Sequence, residues 1–498
     1  MSGGSYIKLP ILYGDKVLIE DFPEDVVVLT SPPSLPPLKD PRAAIREALE
    51  NPLGELPLSE LLRECKRIVI AFDDPVLPIP LPIEDPRRIV ISEVLKMAEE
   101  AKVDVKLVCA NGLHRKWSKN ELAAIVGDNA RRVVCHDGED KENLKELGSV
   151  DEMPVIVNKE AVESDALIYV NVTFTPMNGG WKSVVVGLGS YESISYHHDP
   201  KGFEWSVMDP EKSRMHEKIW KMGKIVEENL RVFQVETVVT NDLQPTLSLV
   251  SGNRLRVPMM FRLSSVLPRR LRDAIRGKIR ASYRMAYIRA GKVDKVHVET
   301  LKVLRRQLEL EVKKQFDVVV MGIPNASPYA TFSTQNPILT ANLALGYGYS
   351  LLSIGKPILR KNGVLIFCHP MDEVFNKEHH PSYIEFYKIL ERTRDPWELR
   401  EKYEKNFAKD EGYVEKYRYG RAYHGAHPFF LWYAMRPALE QCSAIINVAP
   451  SNPRVPEKMG FESARSLSEA LEKAYKYVGR DASVAYPVMP PIFCARVG

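Results

Sequence analysis

Cysteine is scarce in this chain. Six thiols in 498 residues (Cys65, Cys109, Cys135, Cys368, Cys442 and Cys494) form no CxxC pair, which excludes a zinc ribbon and a dithiol redox motif. Several of them close short β-branched runs, as reduced, buried thiols do, and a cytoplasmic setting is expected. An excess of one charge is also missing. Lys and Arg total 69 against 65 Asp and Glu, a net charge of +4, which calls for neither nucleic acid nor an anionic membrane. The longest apolar runs, such as 443–450, are strand-sized and cannot span a bilayer. The Met-Ser-Gly-Gly start lacks the charged and apolar regions of a secretory signal. No GxGxxG follows an early strand, no HExxH occurs, and there is no internal repeat or low-complexity segment.

What is present is ordinary globular material. The chain is 45% hydrophobic and 27% charged, enough for a sizeable core, and it is too long for one. Strand-like runs at 68–72, 105–110, 132–136 and 167–172 alternate with helical stretches at 88–101 and 118–125. Ser118 with Glu121 makes a capping box. A second series of strands is read at 317–322, 364–368, 444–448 and 484–487, with helices at 339–352 and 467–477 between them. This rhythm predicts an α/β fold. Two tandem domains, 1–295 and 296–498, each carry a mostly parallel sheet covered by helices, with the active site in the cleft between them. A region near 241–296 has a different texture. Arg262, Arg269, Arg270, Arg272, Arg276, Lys278, Arg280, Arg284 and Arg289 make it basic, which suits either a solvated helix face or attraction of an anion.

The candidate chemistry gathers at strand ends, where ligands bind in open α/β sheets. Gly179-Gly180-Trp181-Lys182 places a lysine behind a glycine pair, and His198 follows sixteen residues after it. A lysine and an imidazole across a short apolar run suggest covalent attachment of a cofactor together with metal coordination. The segment is not a triphosphate loop: Thr175 stands where the first glycine of GxxxxGK belongs, and Trp181 parts glycine from lysine. His114, in Asn111-Gly112-Leu113-His114-Arg115, is either a general base or an incidental loop histidine. Asp73-Asp74-Pro75 reads as an acid that holds a ligand, or as a turn before a proline-rich loop. His197 and His198 are adjacent and would seldom share one metal. Glu378-His379-His380-Pro381 reads as a solvated loop.

Taken together, these residues resemble the nickel-dependent lactate racemase family over nearly the whole chain. Asp40 to Arg46, Leu113-His114-Arg115 with Glu121, His136-Asp137, Gly179 to Lys182 with Gly187, Tyr191 to Ile194 and His198, and 460–471 carry the likeness, and the segment from Gly179 to His198 is its most specific part. The resemblance implies nickel held in a pyridinium-3,5-bisthiocarboxylic acid mononucleotide. Lys182 would bind that group covalently, His198 would ligate the metal, Asp74, Gly179 and Gly180 would line the cofactor, His114 would be one of two bases, and Gln335 would be a further catalytic residue. It implies a racemase or epimerase that moves hydride through a keto intermediate. Its partners would be a small hydroxy compound and, transiently, cofactor-synthesis enzymes, with no nucleic acid or membrane; the sequence gives no oligomeric state. The chain departs from the family at three places. Leu77 stands for an arginine, Val172 for the second histidine base and Ile338 for a lysine. Two readings follow: an enzyme acting on another hydroxy compound, or a binding protein that has lost catalysis. A hydride-transfer nicotinamide dehydrogenase is a third reading, against which stands the missing GxGxxG.

Overall fold

The computed structural model describes residues 5–252, 254–347 and 353–498; the side chains of Arg269, Arg270 and Ala274 also fall outside the description, as does the end of the helix expected over 339–352. Two sheets organise the chain. The first runs in the order Val133–Cys135, Asp104–Ala110, Arg67–Asp73, Ala166–Val172, Val232–Val239, Met285–Gly291. Every neighbouring pair is parallel except the last. Its central strands are apolar runs buried on both faces, as parallel strands between helix layers are. The second sheet runs Glu462–Ala464, Ala444–Val448, Leu359–Cys368, Phe316–Pro324, Tyr6–Gly14, Lys16–Pro23, with Val484–Pro487 pairing beside Phe316–Pro324. The expected α/β architecture with mostly parallel sheets is the one observed.

Local signals are met closely. Ser118 caps the helix Lys119–Val126, and both bonds of the capping box with Glu121 form. The helix Pro86–Glu100 starts behind the Asp85 cap with proline at its first position. Among the thiols, Cys109, Cys368 and Cys494 are buried.

Two features cut across a division at 295. The first hairpin, Tyr6–Gly14 with Lys16–Pro23, joins the second sheet through pairing of Tyr13 with Ile323, so the chain begins in one domain and then builds the other. The helix Val293–Leu308 packs on Val232–Val239 and Met285–Gly291, and its buried positions Val293, Val296 and Leu304 give it a face for the first sheet. The basic region is not a free solvated face either. Arg276 and Arg272 form ion pairs with Asp15, which leads into the hairpin's second strand. The strand Met285–Gly291 at the region's end pairs antiparallel with Val232–Val239 at the edge of the first sheet.

Candidate active site

Lys182 opens a short helix, Lys182–Val185, directly after two glycines with φ of 91° and 57°. A Cβ on Gly180 would lie 2.7 Å from the His297 ring, and one on Gly179 would lie 2.6 Å from Glu236 Oε1. The turn thus needs glycine twice, for its backbone angles and for its close approach. What the glycines approach is not open ligand space. It is Glu236, which is 0% exposed and accepts hydrogen bonds from the Gly180 N–H at 2.7 Å and from Gln234 Nε2 at 3.1 Å. His297 Nδ1 stands 3.2 Å from both Glu236 oxygens. Burial opposes ionisation of Glu236, but His297 and these donors outweigh it and hold its pKa below the usual value. Trp181 wedges against Gly223 and donates to Asp294 at 2.9 Å, so the residue before Lys182 is anchored as well.

The Lys182 amine makes no hydrogen bond or ion pair among the described residues. Burial lowers its pKa to about 8, and Asp73 opposes that shift. It lines a cavity of about 80 Å³ together with His114, His198, Tyr329, His427 and Phe430. The sequence places Lys182, His198 and His114 in one site, and the cavity contains all three. It lies at the junction of the domains: Tyr329 and His427 come from the second one.

Each imidazole is held by one nitrogen. His198 Nδ1 is 2.7 Å from His197 Nδ1, and the His198 ring packs between Phe203 and Phe430. His197 is fully buried and does not line the cavity. Burial, with His197 and Lys182 nearby, keeps His198 neutral by pushing its pKa well below the usual imidazole value. A neutral ring with one free nitrogen is what a metal ligand requires. His114 Nδ1 lies 2.8 Å from Asp74 Oδ2, which also accepts from Trp117 Nε1 at 3.1 Å. That carboxylate fixes the tautomer and leaves His114 Nε2 for proton transfer. Asp74 is therefore spent on orienting His114. His427 is 4% exposed; its Nδ1 lies 2.6 Å from the Tyr383 hydroxyl, and its ring meets His114 edge-on at 5.3 Å. Its Nε2 has no hydrogen bond among the described residues.

Other sequence candidates fall elsewhere. Gln335 is 5% exposed, donates to Thr340 at 3.3 Å and lines neither cavity described here. Val172 is buried in a small apolar cluster with Phe174 and Tyr283. Ile338 is in the core, and Leu77 faces a larger cleft. The segment Glu378 to Pro381 is not a solvated loop. His379 and His380 are 4% and 0% exposed, and His380 stacks on Tyr423 at 5.1 Å, because the loop is folded under the second domain's aromatic cluster. His427 is the residue that sequence reasoning missed. Its signal is the run Tyr423-His424-Gly425-Ala426-His427-Pro428, two histidines one helical turn apart beside a helix-starting proline.

Among the described residues no group of three His, Cys, Asp or Glu side chains could hold a metal ion. No helix among the described residues is long and apolar enough to cross a membrane.

Residues 13–205 match the family described as the lactate racemase N-terminal domain. Two curated relatives are lactate racemases. The one from Thermoanaerobacterium thermosaccharolyticum is 32% identical over 162 residues, and the one from Lactiplantibacillus plantarum is 31% identical over the same length. In both cases the match covers 31% of this chain and 37% of the relative, so the chain spans little more than a third of the curated relatives it matches. The fold likeness is wider. The apoprotein structure of the lactate racemase from Thermoanaerobacterium thermosaccharolyticum superposes with a TM-score of 0.68, covering 98% of this chain and 100% of that one at 20% identity. A crystal structure of a protein from Thermotoga maritima superposes with a TM-score of 0.51 at 14% identity, over 90% of this chain and 99% of that one. The matched segment holds His114, Lys182 and His198, and over residues 13–205 the chain is similar to the lactate racemase N-terminal domain.

Proposed function

We propose that this protein is a nickel-pincer-dependent racemase or epimerase of a hydroxy acid or related hydroxy compound, and that lactate is not its best substrate. The observation that carries the reading is the convergence of a lysine amine without a partner among the described residues, a neutral imidazole and an Asp-oriented imidazole on one cavity. When bound, the group that the resemblance implies would supply nickel and a hydride acceptor. Lys182 would hold it covalently, and His198 would give the metal its one protein ligand. His114 and His427 take and return the hydroxyl proton at their free Nε2 atoms, with Asp74 and Tyr383 fixing each ring through Nδ1. Phe203, Phe430 and Leu431 exclude water from the reacting atoms. The cavity is smaller than a mononucleotide.

The test is intact-mass analysis and nickel quantitation of protein made together with the cofactor-synthesis enzymes. Neither adduct nor nickel would overturn the reading and favour a binding protein without catalysis. His198→Ala should remove nearly all nickel. His197→Ala should lower nickel affinity by about 10–100-fold, as loss of an orienting partner does, and retain the metal at high concentration. Full retention in His198→Ala would reassign the ligand.

Substrate choice follows from the apolar residues at two cation positions. Leu77 and Ile338 cannot pair with a carboxylate, and losing such a partner costs about 2–5 kcal/mol, roughly thirtyfold to several-thousandfold. Lactate should therefore turn over poorly in a screen with longer hydroxy acids, sugar acids and secondary alcohols. Racemisation at the rate of the family's lactate enzymes would show that the carboxylate site lies elsewhere.

A further inference from the structure

A second cavity, of about 600 Å³, opens between the domains and shares Tyr347 with the smaller one. Leu77, Ile79, Phe174, Phe332, Ile492 and Phe493 give it a long apolar wall. Its size and lining are those of a site for a small organic ligand.

The charges at its edge are unequal in their commitments. Asp15 is held by Arg276 at 2.9 and 3.0 Å and by Asn325 at 2.8 Å. Asp273 is held by Arg276 at 2.8 Å. Arg280 has no such partner. Its Nη1 donates to two backbone carbonyls, Gly277 O at 3.1 Å and Ile279 O at 2.9 Å, and its guanidinium lies 5.7 Å from the Phe332 ring. No carboxylate pairs with it among the described residues. Burial alone acts on its pKa, lowering it, with no acid to offset the cost. Ser327 lines the same cleft, is 2% exposed, and its Oγ has no hydrogen-bond partner among the described residues. A half-buried guanidinium without a carboxylate partner and a buried hydroxyl, both lining an apolar cleft, are groups suited to an anion.

The placement of Arg280 follows from the basic region. Residues 279–283 run beside the proline-rich loop: Ala281 N donates to Leu81 O at 2.9 Å, Ile83 N to Ala281 O at 3.0 Å, and the Tyr283 hydroxyl to Ile79 O at 3.1 Å. The strap thus brings a cation against the loop that carries Leu77, whose own side chain has none.

We propose that this cleft binds an amphipathic carboxylate, a monoanion with a bulky apolar body, and that Arg280 receives the carboxylate while the wall from Leu77 to Phe332 takes the body. Binding of such an anion stands on the cleft itself; that the anion is the protein's hydroxy-acid substrate rests on the function proposed above. The class predicted is a hydroxy acid with a long or branched hydrocarbon chain.

Calorimetric titration of the full-length protein with octanoate, 2-hydroxyoctanoate, 1-octanol and lactate tests this. Each buried methylene is worth about fourfold in affinity, so both eight-carbon acids should bind far more tightly than lactate. Both should also bind at least about tenfold more tightly than the uncharged octanol. Arg280→Gln should weaken octanoate by about thirtyfold or more and leave octanol within about twofold, and Arg280→Lys should recover part of the loss. Octanol binding as tightly as octanoate in the unaltered protein would overturn the proposal without any variant, and so would an Arg280→Gln protein that keeps its octanoate affinity. The mass of the Lys182 adduct is read separately. Cleft binding without an adduct would reject the cofactor reading alone, and an adduct without cleft binding would reject this inference alone.

Discussion

Lys182→Ala is expected to abolish covalent loading completely, with the adduct present on the unaltered protein and absent from the variant by intact mass. The reason is chemical as well as positional. A lysine at the ordinary pKa of 10.5 is almost entirely protonated at pH 7, whereas at about 8 roughly a tenth is free amine. Burial supplies that shift, so labelling of Lys182 by an acylating reagent should be half-maximal near pH 8 rather than above 10. Asp73 opposes the shift, and Asp73→Asn should move the midpoint lower still. The same shift has a cost in stability. The folded-state pKa lies below the unfolded one, so the penalty is full below pH 8 and fades as pH rises towards 10.5. Lys182→Met should therefore stabilise the unloaded protein at pH 7 by about 1–3 kcal/mol, read from denaturant unfolding. Lys182→Arg keeps a cation and loses the nucleophile, so an adduct of unchanged mass on that variant would show that another residue carries it.

The lysine, its glycine pair and His198 are legible in the sequence because they lie within one continuous segment, where spacing alone restricts what can meet. Strands such as Arg67–Asp73 and Ala444–Val448 are legible because short runs rich in β-branched residues leave few alternatives. Other parts of the site depend on contacts between distant segments. Asp74 looks like a turn residue until Trp117 and His114, which follow the next strand, close on its carboxylate. Glu236 is a polar residue inside an apolar strand, two positions from Gln234 on the same face. That pattern was visible, but its meaning comes from Gly180 and His297, 56 and 61 residues away. The hairpin of residues 6–23 reads as the start of the first domain, yet its partner strand is Phe316–Pro324. Arg280 is one of thirteen Lys and Arg residues in 241–296, and the pairing of 279–283 with the proline-rich loop distinguishes it.

In the reaction proposed above, His427 is expected to serve as the second base. With Val172 buried in an apolar cluster, His114 is the only imidazole of the expected base pair that reaches the cavity from the first domain. His427 comes from the second domain to stand edge-on to it, with Tyr383 locking its Nδ1 as Asp74 locks that of His114. On whichever hydroxy acid the screen identifies, His114→Gln and His427→Gln should each slow turnover by about 10²–10⁴-fold, with substrate affinity nearly unchanged. Asp74→Asn and Tyr383→Phe should act more weakly, since they loosen an imidazole and do not remove it. Burial, with His114 and His380 nearby, holds the His427 pKa well below the usual imidazole value. It is therefore neutral and able to accept a proton throughout the physiological range. In the His114→Gln protein the residual activity should lose its acid limb only well below pH 6.5, because its remaining base protonates late. A variant that lacks His427 but interconverts both hands of the substrate at the unaltered rate would remove the second domain from proton transfer and return the missing base to the first.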